Sequence, residues 1–94
     1  LLLQTLELRF NKIGDEGACA IALSLRGHPA LKVLDFSFNN IGPVGTENLL
    51  ETMMSPNMVS RRRVLGLLMN RIGVRNERRI EELKLGDSCL VVRA

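Results

Sequence analysis

Apolar residues recur along this chain as one word. Leu3, Leu6 and Leu8 precede Asn11, Ile13 and Gly14, and Leu31, Leu34 and Phe36 precede Asn39, Ile41 and Gly42. A third copy keeps Leu65, Leu67, Asn70, Ile72 and Gly73 but has Arg62 at the first apolar position. The asparagines are offset by 28 and then 31 residues, and a second glycine, Gly17 or Gly45, follows the first two; the third copy has Asn76 there. Leu6 and Leu8 alternate with Glu7 and Arg9, the period-two pattern of a short half-buried strand. Each asparagine then turns the chain. Stacked copies Asn11, Asn39 and Asn70 predict a buried amide ladder that satisfies turn backbone groups. The glycines at 14, 42 and 73 suit a tight passage out of the turn.

Helical spacing follows each turn. Ala18, Ile21, Ala22 and Leu25 form one apolar stripe, with Asp15 and Glu16 in the first turn, favourable to the helix dipole. Arg26 closes it before Gly27-His28-Pro29. A second helix is predicted from Pro43, burying Leu49, Leu50 and Met53 and stopping before Ser55-Pro56-Asn57. A third, the most polar, carries Ile80 and Leu83 and ends near Gly86.

No such unit buries its own apolar face, so neighbours must stack. The word LxxLxLxxNxIGxxG, its 28-residue offset and the predicted outer helix resemble the ribonuclease-inhibitor-like subfamily of leucine-rich repeats, over residues 3–85. The resemblance implies an α/β leucine-rich-repeat solenoid: a right-handed horseshoe segment with short parallel inner strands and outer helices. Repeat 1 is placed at residues 1–30, repeat 2 at 31–58, a degenerate repeat 3 at 59–86, and a C-terminal tail or cap at 87–94. Arg61-Arg62-Arg63 cannot fill a core layer as leucine does, so the stack is expected to loosen there. The chain starts at Leu1 rather than Met, and the array is expected to extend on that side.

Positions between the leucines point away from the core and stack across repeats at about 5 Å. One outward row is Thr5, Val33 and Val64; another is Glu7, Asp35 and Gly66; a third is Arg9, Ser37 and Leu68. Glu7 and Asp35 set like charges on adjacent strands, compensated by Arg9 or by a basic partner. Phe10, Phe38 and Met69 form a further row. It is either an anchor line for a partner or packed under loops at the rim, the second being the favoured reading. These residues make up the candidate concave binding face, with Arg61–Arg63 as a candidate basic patch. Val64, Leu68 and Met69 turn the face apolar near repeat 3, so a covering segment such as Cys89–Val92, or a partner, is expected.

Composition narrows the chemistry. The 94 residues are 46% apolar and 24% charged, with three Phe and no Tyr or Trp, which favours an aliphatic layered core. Residues 1–60 hold four basic against six acidic side chains, and residues 61–94 nine against four, giving +3 overall. The arginines are expected to cover a solvated helix face. Nucleic acid is disfavoured as a partner because no aromatic stacking platform accompanies them. Cys19 and Cys89 match no metal spacing, and His28 lies alone in a predicted loop. No catalytic set, phosphate-cradling loop, secretory signal or membrane-length apolar run appears. The expectation is a non-enzymatic module without cofactor, membrane span or small-molecule substrate, binding one or more proteins, within a large complex in one reading. The resemblance further implies an intracellular, cytoplasmic setting. It leaves open two other roles: a structural subunit of a cytoskeletal or axonemal assembly, and a GTPase-regulating domain like that of Ran GTPase-activating proteins.

Overall fold

The computed structural model describes residues 4–26, 30–55, 62–86 and 90–94. Strands and helices alternate: β1 (Thr5–Glu7), α1 (Gly14–Leu25), β2 (Val33–Asp35), α2 (Pro43–Met53), β3 (Arg63–Gly66), α3 (Val74–Leu85) and β4 (Leu90–Arg93). The four strands form one parallel sheet in chain order. The chain folds as an α/β solenoid of the expected type. Leu3, His28, Arg61 and Cys89, which figured in the sequence argument, lie outside the described residues.

Register follows the repeated word. Leu6 pairs with Leu34, Leu34 with Leu65 and Leu65 with Val92, forming a layer of the core. Phe36 and Leu67 add a second layer, fully or almost fully buried, and Ile41 and Ile72 a third. Ala18, Ala22, Leu25, Leu49, Leu50, Met53 and Ile80 close the core from the helical side. The layers are aliphatic except at Phe36, a fully buried aromatic that the expected aliphatic core did not include, and each layer is stabilised by its neighbours.

Two expectations near repeat 3 need correction. Arg62 is exposed where the equivalent Leu31 is fully buried, yet the sheet does not loosen, since β3 is hydrogen-bonded on both sides; the loosening falls on the helical side, where α3 packs less closely on α2 than α2 does on α1. The backbone ladder carries the stack past the missing leucine, since it needs no side chain from that position. The segment placed as tail or cap contributes β4, whose Leu90 and Val92 are buried and whose Val91 and Arg93 are exposed. It joins the sheet edgewise and does not cover the apolar residues of the third repeat's turn.

The helices explain the glycines. Asp15 does not simply oppose its own helix's dipole. Its Oδ1 accepts hydrogen bonds from the backbone N–H of Gly42 and of Gly45, both at 2.8 Å, so a side chain in α1 caps α2. A Cβ on Gly42 would meet Asp15 Oδ2 at 2.7 Å, and one on Gly45 would meet Asp15 Oδ1 at 2.7 Å and Ala18 Cβ at 3.0 Å. Gly42 has φ −95°, so close approach, not backbone conformation, requires glycine there. Gly73, at φ 84°, has the conformational reason as well. At the junction of repeats 2 and 3, Pro43 of repeat 2 stands where Asp15 stood and Asn76 of repeat 3 where Gly45 stood. Asn76 Nδ2 donates instead to the carbonyls of Pro43 (2.9 Å) and Ile72 (2.6 Å).

Candidate functional site

The strand–turn junctions position the candidate face. Thr5, Val33, Val64 and Val91 align across the four strands, as do Glu7, Asp35, Gly66 and Arg93. Both rows therefore run one strand further than the three-copy word suggested. The alternation in Leu90-Val91-Val92-Arg93 is the signal that could have extended them. The second row grades from acidic at β1 and β2, through bare backbone at Gly66, to Arg93 at β4.

After each strand the turn is held by its asparagine. Asn39 Oδ1 accepts from the N–H of Asn11 (2.8 Å) and Ile13 (3.3 Å), while its Nδ2 donates to Leu8 O (2.7 Å), Phe36 O (3.0 Å) and Ser37 O (3.2 Å). Asn70 repeats the pattern, accepting from Asn39 N–H (3.0 Å) and Ile41 N–H (2.9 Å) and donating to Phe36 O (2.9 Å). The ladder exists as the spacing predicted. It is buried only at Asn39; Asn11 is exposed and Asn70 half-buried.

For an asparagine to reach back to its own strand's carbonyls, the chain must reverse at the residue before it. Phe10, Phe38 and Met69 occupy that position and take φ of 61°, 61° and 58°. Left-handed backbone disfavours a residue with a Cβ by roughly 1 kcal/mol, and Gly or Asn would fit with less strain. The row was expected to pack beneath the rim. Instead Phe10 is 67% and Met69 74% exposed, because the reversed backbone turns these side chains away from the core. Phe10 and Phe38 stack on each other with centroids 4.4 Å apart and planes 16° from parallel. The Arg9 guanidinium lies 5.6 Å and 5.8 Å from the two ring centroids.

Electrostatics on the face are local. Arg9 Nε is 3.6 Å from Asp35 Oδ2, so Arg9 does compensate the like-charge pair, and Asp35 Oδ1 also accepts from Ser37 N–H at 3.0 Å. Glu7 is exposed and has no ion pair among the described residues. Leu68 is exposed beside Met69, giving an apolar continuation toward β3. Ser37 must be removed from the face. It is only 2% exposed, and its Oγ accepts from Leu68 N–H at 3.1 Å, bridging two turns. Nor is the Arg61–Arg63 run one open patch: Arg62 is exposed, whereas Arg63 begins β3 half-buried with its Nε inside.

Thr5, Glu7, Arg9, Phe10, Val33, Asp35, Phe38, Leu68 and Met69 thus share one surface along the side of the sheet that faces away from the helices, and its turns. Among the described residues no group of three or more His, Cys, Asp or Glu side chains is placed to hold a metal ion. No described helix is long and apolar enough to cross a membrane.

In comparisons with known proteins, a family model described as Leucine Rich repeat matches residues 2–22 and 27–50. No curated protein and no solved structure matches the chain significantly.

Proposed function

We propose that this chain, whose residues 2–22 and 27–50 match a Leucine Rich repeat family model, is a non-catalytic protein-interaction module working through the sheet face and its turns. One observation carries the proposal: two stacked phenylalanines, Phe10 mostly exposed, in backbone conformations that Gly or Asn would hold with less strain. Folding does not call for phenylalanine there, and an exposed Phe10 stacked on a half-buried Phe38, in register with the exposed Met69, has the make-up of an interface anchor. Glu7 on the same face, without an ion pair among the described residues, fits a partner segment with an apolar side chain flanked by a basic one.

Assignment to the ribonuclease-inhibitor-like subfamily belongs to this proposal, supported by the 28-residue offset and the helical return. Neither the cytoskeletal nor the GTPase-regulating role draws support from a specific residue arrangement. The test places a photo-crosslinking residue at Met69 and compares captured proteins for the wild type and Phe10→Ala/Phe38→Ala. A discrete crosslinked species that disappears in the double variant is expected. Capture unchanged by the double variant removes the sheet-face proposal.

A further inference from the structure

We propose that the groove between α2 and α3, on the helical side of the molecule, is a second binding site and takes an acidic protein segment. The groove has a volume of about 430 Å³ and is independent of the sheet face. Its origin lies in the sequence. Between α1 and α2, Gly45 allows an approach so close that an added Cβ would lie 3.0 Å from Ala18 Cβ. Between α2 and α3 the equivalent residue is Asn76, whose buried side chain reaches across to Pro43 O. α3 accordingly packs much less closely on α2 than α2 does on α1.

What the opening exposes carries a net positive charge, three arginines against Glu47 and Glu82. Arg75, Arg78 and Arg79 line it from α3, with Pro43 and Val44 as an apolar floor on α2. Among the described residues none of the three arginines has a carboxylate partner; Arg79 Nη2 instead lies 3.7 Å from Met54 Sδ. Arg75 is one helical turn from both Arg78 and Arg79, so like charges face each other at the spacing where they repel. Arg75 also lies in the first turn of α3, where the helix dipole disfavours a cation. Glu82, one turn beyond Arg78 and Arg79, offsets part of this repulsion but does not reach Arg75 at that spacing, and carboxylates bound between the guanidiniums relieve the remainder while forming charge-assisted hydrogen bonds. The remaining lining residues decide the class of partner. Glu47 and Glu82 would repel a continuous phosphate backbone, and the groove has no aromatic ring for a base to stack on. An acidic peptide can space its carboxylates between those two glutamates and rest an apolar side chain on Val44, which is largely exposed.

The test titrates the full 94-residue chain into a fluorescently labelled peptide whose glutamates are spaced by leucine and glycine, read by anisotropy. Arg75→Glu/Arg78→Glu is expected to weaken binding about tenfold or more, while Lys32→Glu/Arg62→Glu, the same charge change outside the groove, weakens it by less than about threefold. Arg75→Gln/Arg78→Gln, which introduces no carboxylate into the helix, should lose several-fold, and circular dichroism confirms that each variant stays folded. Phe10→Ala/Phe38→Ala is expected to leave peptide affinity unchanged, which separates this site from the sheet face. Equal losses from the two charge-reversed double variants would reduce the effect to general attraction and overturn the proposal. So would a single-stranded oligonucleotide of equal charge that binds as tightly as the peptide.

Discussion

Asp15 Oδ1 and the backbone N–H of Gly45 lie 2.8 Å apart, although they belong to different repeats and are thirty positions apart in the chain. One carboxylate thereby links α1 to the first turn of α2, and the missing side chain at 45 makes room for it. Asp15→Ala is expected to destabilise the fold by about 1–3 kcal/mol, the range for leaving buried backbone donors without their acceptor. Gly45→Ala would normally favour a helix, yet here it should destabilise by a similar amount, because Ala18 Cβ and Ile41 Cγ2 (2.8 Å from the added Cβ) also crowd the site. Urea denaturation of both variants checks this. A stabilised Gly45→Ala would contradict the packing described.

The amide ladder is graded, and its mutational costs should follow the grading. Asn39 engages five backbone groups, so Asn39→Ala is expected to cost about 3 kcal/mol or more. Asn11 donates to two carbonyls in an exposed turn, and Asn11→Ala should cost roughly 1 kcal/mol. Paired denaturation curves compare the two; equal losses would mean that burial does not set the cost.

Phe10 offers a separation of stability from binding. Phe10→Asn gives up one ring of an exposed stack but places a residue tolerant of left-handed backbone at φ 61°. The two effects oppose each other, so stability should change by less than about 1 kcal/mol, while crosslinking to the partner is lost. Thermal denaturation and crosslinking of the same preparation read both. A variant that binds normally would rule Phe10 out as an anchor.

The contact of Arg9 with Asp35 is a surface pair at 3.6 Å, with the arginine side chain half exposed. Arg9→Ala is expected to cost less than about 1 kcal/mol, and the small difference should shrink further in high salt. Denaturation at low and high ionic strength measures it. A large, salt-insensitive loss would assign Arg9 a packing role against the two phenylalanine rings instead.

Much of this molecule was legible in the chain itself. The spacing of Leu6, Leu34 and Leu65 before Asn11, Asn39 and Asn70 predicted strands, register, ladder and helices, because each is a local consequence of periodicity and turn chemistry. The face was legible in outline. Its rows follow from side-chain alternation, and the two parallel rows hold across all four strands. Ser37 was misplaced because alternation says which way a residue points, not whether a neighbouring turn closes over it. The phenylalanine row was misjudged for a related reason, since hydrophobicity alone does not tell a rim packed inward from one turned outward.

By itself, then, the sequence determined the repeat, its period and the layers of the core. Tertiary structure alone decided where the recurring glycines, the turn aromatics and the helical arginines stand relative to the next repeat. Asp15 finds its partners in α2, Phe10 stacks on Phe38, and Asn76 holds α3 away from α2 only once the units are stacked. These relations join residues about one repeat apart, and they depend on the distance between neighbouring coils, which no single repeat encodes.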